Sequence, residues 1–305
     1  MSTAFWWVFD AAVVVTAIYV LAVNAKRGVT KSLVLCIGYI LTTVLASLLA
    51  SVAAPTLYRS VAYENNITGL VTTNKHVDLA EVFTEAITEK NYGFIPDSGA
   101  VSKILKDPDK NAHFDVALFE YASAKAGGPV TVQSEFTNML REAFIRSYGH
   151  ELGERLPKYV RMYFEKKMRT EPDAMCRVIS GYYNALNKSP EDRANALEQE
   201  FASKPTIEVL QIFIYFIIFS IVMVVVAIIS ALAQNKLFFN IQNSTDHAVG
   251  ALIGVIEAGV MLVILTLIIR LLVLLGGGNF LFFNDETIAE SKLFSFFYDH
   301  IGILL

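Results

Sequence analysis

Residues 207–233 read IEVLQIFIYFIIFSIVMVVVAIISALA, an apolar run of the length that a membrane helix needs. A bilayer core about 30 Å thick is crossed by roughly 20 apolar residues in helical form. A lone strand would leave its backbone groups unpaired in lipid, so the run reads as a helix. Working outward, three further runs have the same character. One spans 248–275 and stops at Gly276-Gly277-Gly278. One spans 5–23, and one spans 33–54 and stops before Pro55. Between the second and third runs the sequence changes. The chain is 54% hydrophobic over 305 residues with a mean hydropathy of +0.47, but that excess sits in 5–54 and 207–275, while 55–205 reads like an ordinary soluble sequence. The expected fold is therefore all-α: a polytopic membrane protein with four transmembrane helices, an extracytoplasmic helical domain and a C-terminal amphipathic helix. Its parts are a first helix pair in 1–54, an insert over 55–205, a second pair in 206–275 and a tail over 276–305.

Orientation follows from the short links. The first carries Lys26, Arg27 and Lys31, and the second carries Lys236, so the positive-inside rule puts both in the cytoplasm. The N-terminus, the insert and the tail then face outside. Residues 1–9 carry no Lys or Arg and lead into Asp10, so 5–23 reads as a retained span rather than a signal peptide. Trp6, Trp7, Tyr58 and Tyr215 are candidate interface anchors. The lipid bilayer is the one partner that composition alone implies.

The insert holds 19 of the 25 basic residues and 21 of the 29 acidic ones, so it is close to neutral. With a net charge of −4 overall, nothing points to a nucleic-acid partner. Apolar residues in the insert recur at helical spacing. Leu79, Val82, Phe83, Ala86 and Ile87 share one face, and Phe114, Leu118 and Tyr121 another. Phe136, Met139, Leu140 and Ala143 mark a third helix, and Val160, Tyr163 and Phe164 a fourth. Met175, Val178, Ile179 and Tyr182 follow Pro172, read as a first-turn residue. Ser189-Pro190-Glu191-Asp192 opens the last helix with a cap, a proline and acidic first-turn residues. A separate helical domain of this kind is a candidate surface for a protein partner.

No catalytic, cofactor or metal site is expected. His150-Glu151-Leu152-Gly153-Glu154 begins like a zinc-protease helix but has Glu154 where the second histidine belongs. His76, His113, His247 and His300 are scattered, no Cys/His spacing suggests a metal, and the phosphate-binding and nucleophile-elbow motifs are missing. Cys36 and Cys176 lie in different regions, so no disulfide is expected.

Polar residues inside the spans are the sites that remain. Asp10 is either an ion or substrate contact or a carboxylate near the positive start of a helix. Arg270 lies at a similar depth, and the two are expected to pair. Glu257 sits deep in the fourth span, where an unpaired charge is costly. It is either part of a proton or ion pathway or a structural carboxylate paired with Arg27 or Lys31. Gly250, Gly254 and Ala258, spaced four apart, form a small-residue stripe that lets a helix approach closely, either from this chain or from a second copy. In the tail, Ile288, Phe294, Phe297, Tyr298 and Ile301 gather on one side of a helix expected over 285–301. It would lie on the outer leaflet or dock on the insert.

In this setting the chain resembles the CvpA family, the colicin V production proteins of bacterial inner membranes. The likeness rests on an aromatic-rich start leading to Asp10, on Arg27-Gly28 in the first link, on Asp246-His247-Ala248-Val249-Gly250 followed by Gly254 at the opening of the last span, and on Glu290-Ser291-Lys292-Leu293 after it. It extends over residues 5–60 and 205–300. The long insert departs from the family pattern, as does Glu257, where a basic or neutral residue is expected. The resemblance implies a bacterial cytoplasmic-membrane protein supporting colicin V-type toxin production or export and envelope integrity. It gives Asp10, Arg27, Gly28, Asp246, Gly250, Gly254 and Ser291 as family-like positions.

Overall fold

A computed structural model describes residues 5–27, 29–185, 188–233, 243–277 and 281–303. Among them the chain is α-helical, with no β-strand. Four helices are long and apolar enough to cross a membrane: Trp6–Arg27, Lys31–Val61, Pro190–Leu232 and His247–Gly276. The protein is accordingly an all-α, multi-pass membrane protein. It divides into two compact units, one made of Met1–Leu57 with Ile207–Leu305, the other of Tyr58–Thr206.

The membrane unit is built on α1 (Trp6–Arg27), α2 (Val29–Val61), α11 (Ser203–Ala233) and α12 (Asn243–Gly276). Neighbours in space are not the neighbours in sequence. Among the described residues, the first and last of these helices, α1 and α12, form the most extensive contact. The small-residue stripe explains the approach. Gly254 faces Asn24 and Leu21 of α1 so closely that a Cβ there would lie 3.0 Å from the Asn24 Cβ and 3.4 Å from the Leu21 Cα. Gly250 and Ala258 are buried along the same helix. At Gly254 the stripe is thus covered by a helix of the same chain. The other two helices meet through Tyr215, whose hydroxyl donates to Thr43 Oγ1 at 3.5 Å. Tyr39 also stacks on Phe219, with ring centroids 6.3 Å apart. Tyr58 and Tyr215 are buried, so they are not the interface anchors that their type suggested, whereas Trp7 is exposed.

Two prolines correct the expected helix ends. Pro55 does not stop the second span, since α2 runs through it to Val61. Proline withholds one backbone N–H, here from the carbonyl of Ser51, and a helix of this length keeps its other bonds. Pro205 similarly withholds an N–H from Phe201, and the turn just before it, Glu198–Ala202, is widened to π-helical geometry. α10 (Pro190–Leu197), this π turn and α11 therefore follow one another without a break.

The second unit is helical throughout: α3 (Tyr63–His76), α4 (Leu79–Glu89), α5 (Ser98–Lys106), α6 (Phe114–Ala126), α7 (Gln133–Arg155), α8 (Lys158–Thr170), α9 (Ala174–Asn184) and α10. Periodicity found α4 and α6 to α10 but not α3, whose apolar residues are sparse, or the short α5. Caps sit where side-chain chemistry puts them. Asp78 accepts from the N–H groups of Ala80 and Glu81, Asp97 from Gly99, and Ser189 from Asp192. Asp173, not Pro172, precedes the first residue of α9. Phe83, Phe114, Phe136, Phe144, Phe164 and Phe201 are fully buried in one continuous core. At one end of this unit a polar cluster closes it. The Tyr58 hydroxyl donates to Glu198 Oε1, and Asn66 Nδ2 donates to the Tyr58 oxygen at 3.3 Å and to Thr206 Oγ1 at 3.2 Å.

Two short helices, α13 (Asp285–Ala289) and α14 (Phe294–His300), make up the tail in place of the single helix expected over 285–301. The break falls at 290–293, for a reason that involves Asp10.

Candidate functional site

Three polar positions in the membrane unit define the candidate site. The deepest is Glu257 on α12. Its side chain is only 4% exposed, and one oxygen is met by Arg27, whose Nη1 donates to Oε1 at 3.3 Å. Arg27 ends α1 and, at 32% exposure, reaches in from the helix end. The expected basic partner is therefore Arg27, not Lys31. The second carboxylate oxygen, Oε2, is buried and has no hydrogen-bond partner among the described residues, and the same holds for Asn24 Oδ1. Asn24, on the face of α1 packed against Gly254, donates from its side-chain Nδ2 to Val20 O at 3.0 Å, and its backbone carbonyl accepts from Ser32 Oγ at 3.2 Å. The result is a buried acidic centre with one basic partner among the described residues and unspent acceptor capacity. A histidine near the start of α12, His247, is tied by its Nδ1 to Ala25 O at 2.6 Å.

The expected pairing of Asp10 with Arg270 is not observed. Arg270 donates from Nε to Glu208 Oε1 at 2.6 Å, and its Cζ lies 5.1 Å from the ring centroid of Tyr298. Tyr298 in turn donates to Asp285 Oδ1 at 2.9 Å. Glu208, at the start of the apolar run in α11, is close enough to satisfy the guanidinium, which leaves Asp10 free for another role.

Asp10 receives backbone donors from the tail. Lys292 N–H donates to Oδ2 at 2.9 Å, and Leu293 and Phe294 N–H donate to Oδ1 at 2.8 and 3.1 Å. Three donors on one carboxylate account for the break before α14, because the chain must turn its N–H groups toward α1. Ser291 reinforces the turn. Its hydroxyl donates to Ile288 O at 2.6 Å and accepts from Ser295 N–H at 2.9 Å. Phe9, next to Asp10, stacks on Phe294 at 5.4 Å and meets Phe282 and Phe283 edge-on. Ile288, Phe294, Tyr298 and Ile301 of the expected apolar face are buried, while Phe297 is half-buried. The face docks on α1 and α12.

Of the family-like positions, Arg27, Gly254, Asp10 and Ser291 all make defined contacts, and Gly250 is buried. Gly28 and the side chain of Asp246 lie outside the described residues, as does Lys236. Sequence reasoning missed Glu208 and Asn24, and read Tyr298 only as part of the tail's apolar face. Glu208 was legible as a lone acid at the head of an apolar run. In the second unit Cys176 Sγ donates to Asp115 Oδ1 at 3.4 Å, and burial beside that carboxylate pushes the thiol up to about 12. Both cysteines are free and buried. His150 is exposed on α7, and among the described residues no group of three His, Cys, Asp or Glu side chains is placed to hold a metal. A cleft of about 630 Å³ on the same unit is lined by Glu89, Tyr92, Glu135, Met139, Glu142 and Arg146 among others, and is open to solvent. No protein-family model matches the chain, and comparison with characterised proteins and with solved structures finds no match either.

Proposed function

We propose that this chain is a non-enzymatic, CvpA-like scaffold of the bacterial cytoplasmic membrane. In this reading the four spans anchor the chain, with the N-terminus, the helical domain and the tail outside. The domain binds a protein partner in support of colicin V-type toxin production or export and of envelope integrity. One observation carries the reading: Tyr58–Thr206 is a unit with its own continuous core of buried aromatic and aliphatic side chains. A helix pair that served only to span the membrane would need no such domain between its members. The sequence likeness at Asp10, Arg27, Gly254 and Ser291 supports the family part of the reading, since each of those residues makes a defined contact within the membrane unit.

The test replaces residues 58–206 with a short polar linker. The expected result is normal membrane integration with loss of toxin export and increased sensitivity to detergents. Full export and resistance in the linker variant would remove the basis for a scaffold.

A second reading, an oligomeric channel or transporter, is favoured by Glu257 Oε2, a buried acceptor without a partner among the described residues. Glu257→Gln separates the two readings. A transporter loses flux in that variant, whereas a scaffold keeps its phenotype.

A further inference from the structure

The geometry points to a membrane-interface foot: we propose that the exposed face of the C-terminal tail, carried by Leu293, Phe296 and Phe297, contacts lipid at the boundary between headgroups and acyl chains. The depth of the tail is fixed by its attachment. Three of its backbone N–H groups bond to Asp10 at 2.8 to 3.1 Å. Asp10 lies four residues after Trp6, where α1 begins, which is about 6 Å along the axis at 1.5 Å per residue. α1 has 22 residues, just enough to cross a hydrocarbon core, so a point that far along it lies a few ångström inside the edge of the hydrocarbon, just below the headgroups. A segment bonded there cannot stand away in water. Amphipathic helices that lie in the interface bury their apolar side about 5–10 Å into it, a matching depth.

The composition of the free face fits lipid. α14 presents Phe294 and Tyr298 to α1 and α12. On its opposite side Phe296 is 62% exposed and Leu293 47%, with Phe297 beside them and the exposed His300 ring 4.7 Å from that of Phe296. Asp299 and Ser295 fall on the other flank, the one a polar layer would cover. The exposed face continues into exposed aromatic surface at the start of α1. Lys292 Nζ lies 5.9 Å from the Trp6 ring centroid, and next to that ring Trp7 is 54% exposed. Aromatic rings flanked by lysine are the side chains that settle at a membrane–water boundary.

The test uses the full chain in phosphatidylcholine vesicles, with Phe296→Cys or Asp299→Cys carrying an environment-sensitive fluorophore. Cys36 and Cys176 are buried and take no label in the folded protein. Nitroxide lipids with the spin label near the headgroup are expected to quench the probe at 296 about twofold or more over the probe at 299. Equal quenching at the two positions overturns the proposal. So does a probe at 296 that is shielded from the nitroxide and loses its shielding when the protein is diluted in lipid, because that result assigns the face to a second copy of the chain.

Discussion

A carboxylate buried in a membrane span is tolerable when something neutralises it, and for Glu257 that partner is Arg27. Removing the partner leaves the charge stranded. Arg27→Ala is expected to lower stability by about 1–3 kcal/mol, less than for a fully buried pair because the guanidinium is a third exposed. Combining it with Glu257→Gln should recover most of that loss in denaturant unfolding of the purified protein in detergent. Equal losses in the single and double variants would show that the pair is not coupled. Cys176 gives a pH-dependent counterpart. Its folded thiol titrates at about 12 against 9.0 for the free group, so between those values the folded state keeps a proton that the unfolded state has lost. Stability from this group is complete below pH 9 and declines as pH rises through that window. Cys176→Ala should flatten that part of the pH profile, and the native thiol should resist iodoacetamide at pH 8 until denaturant is added. A native thiol that alkylates at the denatured rate would rule out the buried, protonated state. Neither contact has a strong sequence signature: Glu257 was legible as a charge in an apolar run, but which base reaches it depends on where α1 ends.

Among the elements, the spans could be read from the sequence because lipid imposes length and composition on them, and the insert helices because one face of each must be apolar. What could not be read was which element meets which. The donors that occupy Asp10 are backbone N–H groups of 292–294, which any residues would supply, so no side-chain pattern announces them. Charge alone suggested Arg270 instead, and Glu208 had the prior hold on it. Likewise the Gly250-Gly254-Ala258 stripe signals close packing without naming the partner, which at Gly254 is α1. The tail's attachment makes a prediction at this scale. Asp10→Ala strands three N–H groups and should release 285–303, cutting its protection from protease severalfold while α1 and α12 stay paired. Asp10→Asn, which keeps an acceptor oxygen, should fall between wild type and alanine. Cys36, buried among the spans, reports on whether the bundle itself survives: it must stay unreactive in both variants for the effect to belong to the tail. A tail equally protected in Asp10→Ala would mean that the aromatic contacts of Phe9 hold it without the carboxylate.

At the scale of the whole molecule, a membrane protein made of two compact units raises the question of whether each is complete. Tyr58–Thr206 meets the structural requirements for folding alone. Its aromatic centre, in which Phe144, Tyr148, Phe164 and Phe201 meet at ring-centroid distances of 5.1 to 6.4 Å, is assembled from α7, α8 and the π turn, all inside the unit. The two ends of the segment are joined to each other, because Tyr58 and Asn66 at its start bond to Glu198 and Thr206 at its finish. Cutting the chain at 57/58 and 206/207 therefore severs two helices but leaves every member of that cluster in the fragment. Residues 58–206 expressed alone are expected to be a soluble, helical monomer that unfolds cooperatively, and Phe164→Ala should cost it about 3–5 kcal/mol, the usual penalty for emptying a fully buried phenylalanine site. Calorimetry with circular dichroism decides the matter. A broad, non-cooperative transition insensitive to Phe164→Ala would mean that the aromatic core forms only when the spans hold its two ends. The domain would then be an outgrowth of the membrane bundle and not a module carried by it.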